Sequence, residues 1–118
     1  MQELLTQLQE YLRMESDLPF PEFQEYFRKL IEELRTNFEA MSSEERIQAR
    51  YICKIVGTNA QIRAGKSRLH MKQFRKINEK CQFWLEAIDF RLEKEGLSEQ
   101  EIEDKMEQVA AGLEPAKS

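Results

Sequence analysis

The sequence is poor in the residues that build turns, disulfide frameworks and membrane spans. Its 118 residues include only four glycines, three prolines and two cysteines. So few glycines and prolines argue against a turn-rich β fold. Two cysteines are too few for a disulfide framework, which favours a reduced, cytoplasmic setting. No apolar run is long enough to span a bilayer, and the first residues lack the pattern of a secretion signal, so we expect no membrane partner.

Apolar residues recur at helical spacing in the first third of the chain. A stripe over residues 4–12 predicts a short first helix, and a longer stripe over residues 23–41 predicts a second. Pro19 and Pro21 separate the two, because prolines so close together cannot lie inside a helix, although Pro21 can open the next one.

Capping signals predict where the third helix begins and where the fourth follows it. Ser42 and Glu45 have the spacing of a capping box, so a third helix is expected to start there. It is expected to run to about residue 64. A short turn, Gly65-Lys66-Ser67, follows, with Ser67 as the expected N-cap of the fourth helix.

The fourth helix is expected to be the longest, over residues 68–95. Gly96 is placed to end it in a left-handed conformation, and a second capping box at residues 98–101 predicts a short fifth helix. The expected domain is therefore residues 1–111, with residues 112–118 forming a disordered tail.

Each amphipathic stripe must be buried against another helix, and short connections favour antiparallel neighbours. We therefore expect an all-α antiparallel helical bundle of four main helices plus a short fifth helix. The predicted core consists of Leu8, Leu12, Phe23, Phe27, Leu30, Leu34, Phe38, Ile47, Tyr51, Ile55, Ile62, Phe74, Ile77, Cys81, Trp84, Ile88, Leu92 and Met106.

The net charge of −4 hides a strong segregation of sign along the chain. Residues 1–45 carry four basic and 11 acidic side chains, and residues 81–118 carry four and ten. Residues 46–80 carry ten basic side chains and the single acid Glu79. Many of these cations stand four residues apart, and like charges at that spacing repel one another on a helix. Something of opposite charge is expected to offset that repulsion, inside or outside the protein.

One interpretation is that this basic helical hairpin contacts an anionic partner, which would be nucleic acid or an acidic protein. Phe83 and Phe90 lie away from the main apolar stripe of the fourth helix, and exposed aromatic rings beside cations suit single-stranded nucleic acid. They are the possible contact aromatics. The predicted anionic-partner-binding residues are Arg46, Arg50, Lys54, Lys66, Arg68, Lys72, Arg75, Lys76 and Lys80.

A second interpretation of the basic segment stays open. The acidic helices could neutralise the basic residues internally, since charge runs are usually solvated or paired. The chain would then be a protein–protein adaptor or a homo-oligomer, with Phe83 and Phe90 facing a neighbour. A row of small residues in the third helix, Ala49, Cys53 and Gly57, predicts tight packing within the chain, a homodimer seam or a gap for a bound ligand.

The residues that most chemistry needs are scarce. His70 is the only histidine, which excludes the paired Glu-x-x-His motifs of di-metal bundles. The two cysteines lack metal-ligand spacing. We therefore expect a small binding protein without cofactor, metal or catalytic residues; an enzyme would need a polar pocket around His70 or a pair of carboxylates.

Overall fold

The computed structural model describes residues 1–113, in which no strand occurs. It contains helices α1 (Gln2–Leu12), α2 (Phe20–Asn37), α3 (Ser43–Ala64), α4 (Met71–Lys94) and α5 (Glu99–Leu113), with a short 3-10 helix, Phe38–Ala40, after α2. The expected all-α class with a short fifth helix is confirmed. Helix α5 continues to Leu113, and the rest of the expected tail, residues 114–118, lies outside the described residues.

Both predicted capping boxes are present. The Ser42 hydroxyl accepts a hydrogen bond from the Glu45 amide at 3.1 Å, and the Glu45 carboxylate accepts one from the Ser42 amide at 3.3 Å. Ser98 and Glu101 exchange the same pair of bonds at 3.1 and 3.2 Å. Gly96 has a φ of +97°, the left-handed conformation expected after α4.

The start of α4 differs from the sequence prediction. The Ser67 hydroxyl accepts a hydrogen bond from the His70 amide at 3.2 Å, so Ser67 closes a separate turn over residues 68–70. The helix begins only at Met71, and its N-cap residue, His70, makes no side-chain capping bond. The prediction of Ser67 as the N-cap was therefore wrong, because the same hydroxyl stabilises a local turn instead.

Helices α3 and α4 form an antiparallel hairpin. Contact partners that occur later in α3 occur earlier in α4, which is possible only when the two helices run in opposite directions. The successive pairs are Arg46 with Glu95, Arg50 with Asp89, Gly57 with Cys81, and Arg63 with Phe74. An antiparallel arrangement of all four main helices stays a prediction.

The row of small residues in α3 lies inside this hairpin. Ala49 and Cys53 are fully buried. A Cβ atom placed on Gly57 would stand 3.0 Å from the Cβ of Cys81, so the two backbones approach more closely than any larger residue would allow. The row serves packing within the chain and is not available as a seam between two copies.

The other three helices cover the hairpin. The Tyr26 hydroxyl donates a hydrogen bond to the Leu4 carbonyl at 2.7 Å and joins α2 to α1. The rings of Phe23 and Phe74 lie 5.7 Å apart in an edge arrangement and join α2 to α4. Helix α5 buries Ile102 and contacts α3 and α1.

Two members of the predicted core are exposed. Leu12 is 51% exposed and Ile62 is 54% exposed. Ile62 lies on a second apolar face of α3, which is buried at Ile47 but only partly covered at Tyr51 and Ile55. The helical period identifies this face but not how far along α3 it is covered, so the period alone overestimated the core. Phe38 and Trp84 are partly buried, and the core prediction is confirmed for Leu8, Phe23, Phe27, Leu30, Leu34, Ile47, Phe74, Ile77, Cys81, Ile88, Leu92 and Met106.

Candidate anionic-partner interface

Arg46, the first candidate cation, lies inside the protein. Its side chain is 1% exposed. One terminal nitrogen, Nη1, donates to the Glu95 carboxylate at 2.8 Å. The other, Nη2, donates to the carbonyl oxygens of Phe38 and Glu39 at 2.8 and 3.3 Å. These bonds connect the start of α3 to the end of α4, so Arg46 has no surface to offer a partner.

The guanidinium of Arg50, one turn later, is also largely paired with carboxylates of this chain. Its Nε donates to Asp89 at 2.6 Å, and its Nη1 lies 3.7 Å from a Glu103 carboxylate oxygen. The side chain is 14% exposed. Arg50 therefore connects α3 with α4 and α5, as the interpretation of internal neutralisation expects for some of these cations.

The remaining seven predicted cations are exposed. Within the described part of the chain, none of the seven forms an ion pair with a carboxylate. They are Lys54, Lys66, Arg68, Lys72, Arg75, Lys76 and Lys80. Internal pairing thus accounts for the two arginines at the beginning of α3 and does not extend to the turn and the first half of α4.

Three of the exposed cations surround one cleft beside the hairpin turn. Lys66, Arg68 and Arg75 line a cleft of about 640 Å³, together with Gln61 and Asn78. The cleft is open to solvent, and it concentrates three positive charges between the end of α3 and the start of α4. Such a concave, positively charged surface favours binding of a phosphate or carboxylate group.

Cations from different helices meet at a second cleft, between α2 and α4. Lys80 lines it together with Arg28 and Arg35 of α2. Arg28 is held by Glu25 and Glu32 at 2.7 and 2.8 Å, whereas Arg35 is exposed and has no carboxylate partner among residues 1–113. Arg35 could not be predicted from the sequence, because it lies in an acidic segment far from Lys80 along the chain.

The hairpin turn also exposes apolar side chains that were not expected there. Leu69 is 80% exposed and stands between Arg68 and His70 in the turn. Ile62, near the end of α3, is exposed as well. The basic end of the molecule therefore combines cations with apolar surface.

Phe83 and Phe90, the two candidate contact aromatics, are 63% and 64% exposed. The Phe83 ring meets Trp84 edge-on with ring centroids 5.6 Å apart. The Lys94 ammonium lies 5.3 Å from the centroid of the Phe90 ring, a distance typical of a cation–π contact. Both rings lie on the side of α4 opposite its buried stripe.

The acidic helices neutralise other cations than those at the turn. Glu39 accepts a hydrogen bond from Arg91 at 2.7 Å. This bond lowers the pKa of the Glu39 carboxyl below its ordinary value and raises the pKa of Arg91. This pair joins the 3-10 helix to the second half of α4, away from the turn.

His70 packs among aromatic rings at the start of α4. Its ring centroid lies 3.8 Å from that of Phe20 and 6.4 Å from that of Phe74. The His70 Nδ1 atom is buried and has no hydrogen-bond partner among the described residues. Arg63 completes the cluster, with its guanidinium 4.9 and 4.8 Å from the ring centroids of Phe23 and Phe74.

Neither a metal-binding cluster nor a membrane-spanning helix occurs within residues 1–113. No three His, Cys, Asp or Glu side chains converge there as a metal site would require. No helix in this part of the chain is both long and apolar enough to cross a bilayer.

Comparison with known proteins gave no match of this chain to a protein-family model, to a curated protein or to a solved structure.

Proposed function

We propose that this chain is a non-catalytic binding protein that holds nucleic acid on the basic end of the α3–α4 hairpin. The observation that carries the proposal is the set of exposed cations at the turn and in the first half of α4, which have no carboxylate partner among residues 1–113. The binding residues in this proposal are Lys66, Arg68, Lys72, Arg75, Lys76 and Lys80, with Lys54 and Arg35 at the margins.

Electrostatics supports a polyanion as the ligand. Lys72, Lys76 and Lys80 stand four residues apart on α4, so their charges repel one another in the free protein. A row of phosphates would relieve that repulsion and would release counterions when it binds. Arg46 and Arg50 take no part, because their guanidinium groups are used inside the protein.

The test is fluorescence anisotropy with labelled single-stranded and duplex DNA and RNA at about 50 and 200 mM salt. The informative variant is Lys66→Gln/Arg68→Gln/Lys72→Gln. It should weaken binding at the lower salt and reduce the slope of log affinity against log salt by about two to three, because each lost phosphate contact removes almost one counterion.

The chain offers a matched control in Arg13→Gln/Lys29→Gln/Lys105→Gln. These three cations are also exposed and have no ion pair among the described residues, so the net charge changes equally. Affinity should fall far less than in the first variant. Equal losses in both variants, or no binding of the wild type at the lower salt, would contradict the proposal.

A second candidate function, a protein–protein adaptor or homo-oligomer, is favoured by the exposure of Phe83 and Phe90. Two phenylalanines on one side of one helix form an apolar patch of the kind that protein interfaces cover. Sedimentation over a range of concentrations tests self-association. Pull-down with Phe83→Ala/Phe90→Ala as the control tests for a different protein partner.

A further inference from the structure

We propose that the cleft beside the hairpin turn holds the terminal phosphate of a single-stranded nucleic acid, so that phosphorylated strand ends bind more tightly than hydroxyl ends or strand interiors. The terminal phosphate is one part of the polyanion in the proposed function, on which this assignment therefore rests. It follows from the side chains that line the cleft and from the direction in which the neighbouring cations lie.

The positive charge of this cleft is not compensated by carboxylates. Lys66, Arg68 and Arg75 line it, and no acidic side chain of residues 1–113 does so. Glu79 stands one turn after Arg75 on α4 but forms no ion pair with it. The cleft between α2 and α4 differs, because two glutamates line it and pair with one of its arginines. The cleft at the turn is therefore the more strongly positive of the two.

Asn78 adds a hydrogen-bond donor to the α4 wall of the cleft. Its Oδ1 atom is buried, has no hydrogen-bond partner among the described residues, and lies on the side of Gly57. The two polar atoms of an amide group point in different directions, so the Nδ2 group faces away from Gly57. It forms no hydrogen bond within residues 1–113 and is free to donate to an anion in the cleft.

A terminal phosphate fits these donors better than an internal one. As a monoester it carries a charge of about −1.5 to −2 at neutral pH and three strong acceptor oxygens. An internal phosphodiester carries a single negative charge and has fewer free oxygens. Charge-assisted hydrogen bonds from the lysine and the two arginines, with the amide donor beside them, can serve each free oxygen of the monoester. The stronger charge of the terminal group therefore selects the strand end.

The cations of α4 lead away from the cleft on one side only. At about 100° per residue, they follow one another around the helix in the order Arg75, Lys72, Lys76 and Lys80. Arg75 lines the cleft at the turn and Lys80 lines the cleft between α2 and α4, so the row joins the two clefts. On the other side of the turn cleft, the uncharged Gln61 lines it from α3. A strand that follows the row therefore has its end in the cleft at the turn.

The outer surface of α4 favours a single strand over a duplex. Phe83 stands three residues after Lys80 and is 63% exposed. An unpaired base beside the row can stack on this ring, whereas the bases of a duplex are stacked on one another and present only their edges. A single strand therefore gains a contact that a duplex lacks.

Fluorescence anisotropy with one single-stranded sequence, made as DNA and as RNA with an internal label, tests the assignment. Four forms are compared at about 50 mM salt: a linear strand with a 5′-phosphate, one with a 3′-phosphate, one with hydroxyl groups at both ends, and a closed circle. A strand with a phosphate at the end that enters the cleft should bind about tenfold more tightly than the hydroxyl-ended strand, because one added charge-assisted contact contributes about that factor. The circle has as many phosphates as the phosphorylated strands, yet it should bind like the hydroxyl-ended strand because it has no end.

Lys66→Gln/Arg75→Gln should remove this preference, because it takes two of the three cations from the cleft. Lys72→Gln/Lys76→Gln is the matched control, since it removes the same charge from positions that do not line the cleft. It should weaken all four forms by similar factors and keep the preference of about tenfold. The four substituted positions are exposed, so both variants should keep the wild-type melting temperature.

The outcomes separate this assignment from the proposed function. Equal affinity of the wild type for the four forms would overturn the assignment and leave nucleic-acid binding intact. A preference that survives in Lys66→Gln/Arg75→Gln would also overturn it, because the phosphate would then lie elsewhere. No binding of any single strand would overturn it as well, and the proposed function would fall with it only if duplex DNA and RNA also fail to bind.

Nuclear magnetic resonance locates the phosphate on the protein. The side-chain amide signals of Asn78 should shift when the phosphorylated strand binds and should shift much less with the circle. Asn59, which is exposed elsewhere on α3, is the control and should not distinguish the two ligands. Equal shifts of Asn78 with both ligands would place the strand end outside the cleft and overturn the assignment.

Discussion

Arg46 and Glu95 join the beginning of α3 to the end of α4 through an Nη1–Oε2 hydrogen bond of 2.8 Å. Arg46 is almost completely buried, whereas the Glu95 side chain is 28% exposed. The guanidinium also donates to two backbone carbonyls of the 3-10 helix, those of Phe38 and Glu39. Three chain segments therefore depend on one buried charge and on Glu95, its one carboxylate partner among residues 1–113.

Glu95→Ala should destabilise the protein by about 2–3 kcal/mol, because it leaves the buried Arg46 charge without its carboxylate. Urea unfolding followed by circular dichroism measures the change. Glu93→Ala removes an exposed carboxylate that forms no ion pair among residues 1–113, so its effect should stay within about 0.5 kcal/mol. Equal effects of the two substitutions would show that the bond to Arg46 contributes nothing to stability.

Gly57→Ala should destabilise the protein by about 1–2 kcal/mol, although alanine is the better helix former. The new methyl group would stand 3.0 Å from the Cys81 Cβ and 3.4 Å from the Asn78 Oδ1. A Cβ atom cannot move without its backbone, so α3 and α4 would have to separate. Gly65→Ala is the control, because its Cβ meets only the Ile62 carbonyl, at 3.5 Å. That substitution should be neutral or slightly stabilising in thermal unfolding.

Tyr26→Phe should cost about 1 kcal/mol at neutral pH, because it removes the hydrogen bond to the Leu4 carbonyl. Burial, followed by the charges of Tyr11 and Cys53, raises the pKa of Tyr26 above its ordinary value of 10.0. A raised pKa means that the neutral hydroxyl is favoured in the folded state. Its contribution is complete below pH 10.0 and is lost as the pH rises further.

Unfolding measured at increasing alkaline pH tests whether the contribution of Tyr26 to stability falls as the pH rises. The wild type should lose stability above pH 10.0 more steeply than Tyr26→Phe does, so the difference between the two proteins should shrink as the pH rises. A constant difference would show that the Tyr26 hydroxyl ionises as readily in the folded protein as in the unfolded one.

Glu39 should titrate below its ordinary pKa of 4.5 in the folded protein, chiefly because it accepts the hydrogen bond from Arg91. A lowered pKa stabilises the folded state above the unfolded pKa, and that stabilisation is lost as the pH falls. Carboxyl chemical shifts followed through acid pH measure the midpoint. In Arg91→Gln the Glu39 midpoint should rise toward 4.5, and an unchanged midpoint would mean that the bond is absent in solution.

The all-α class and most helix ends were predictable because their signals are local. The capping boxes at Ser42 and Ser98 and the glycine at position 96 mark helix ends through interactions within a few residues. Ser67 shows the limit of that information. Its hydroxyl could cap a helix or close a turn, and in the structure it accepts a hydrogen bond from the His70 amide and closes a turn.

The candidate site was harder to predict, because a charge row does not reveal what lies opposite it. Arg46, Arg50 and Lys54 form one row with regular spacing, yet exposure rises from the first to the last. Glu95 and Asp89, which pair with the first two, lie at least 39 residues away along the chain. The prediction that Ile62 belongs to the core was wrong for the same reason. Helical period identifies an apolar face, but not how far other helices cover it.

The register of the α3–α4 hairpin also implies an order of assembly. Arg63 and Phe74 stand next to the turn and are close in sequence, so their contact closes the smallest loop and costs the least chain entropy. Arg46 and Glu95 are 49 residues apart, so we expect them to meet only after the contacts between them and the turn have formed. Contacts near the turn should therefore already exist at the folding transition state, whereas the Arg46–Glu95 bond forms late and mainly slows unfolding.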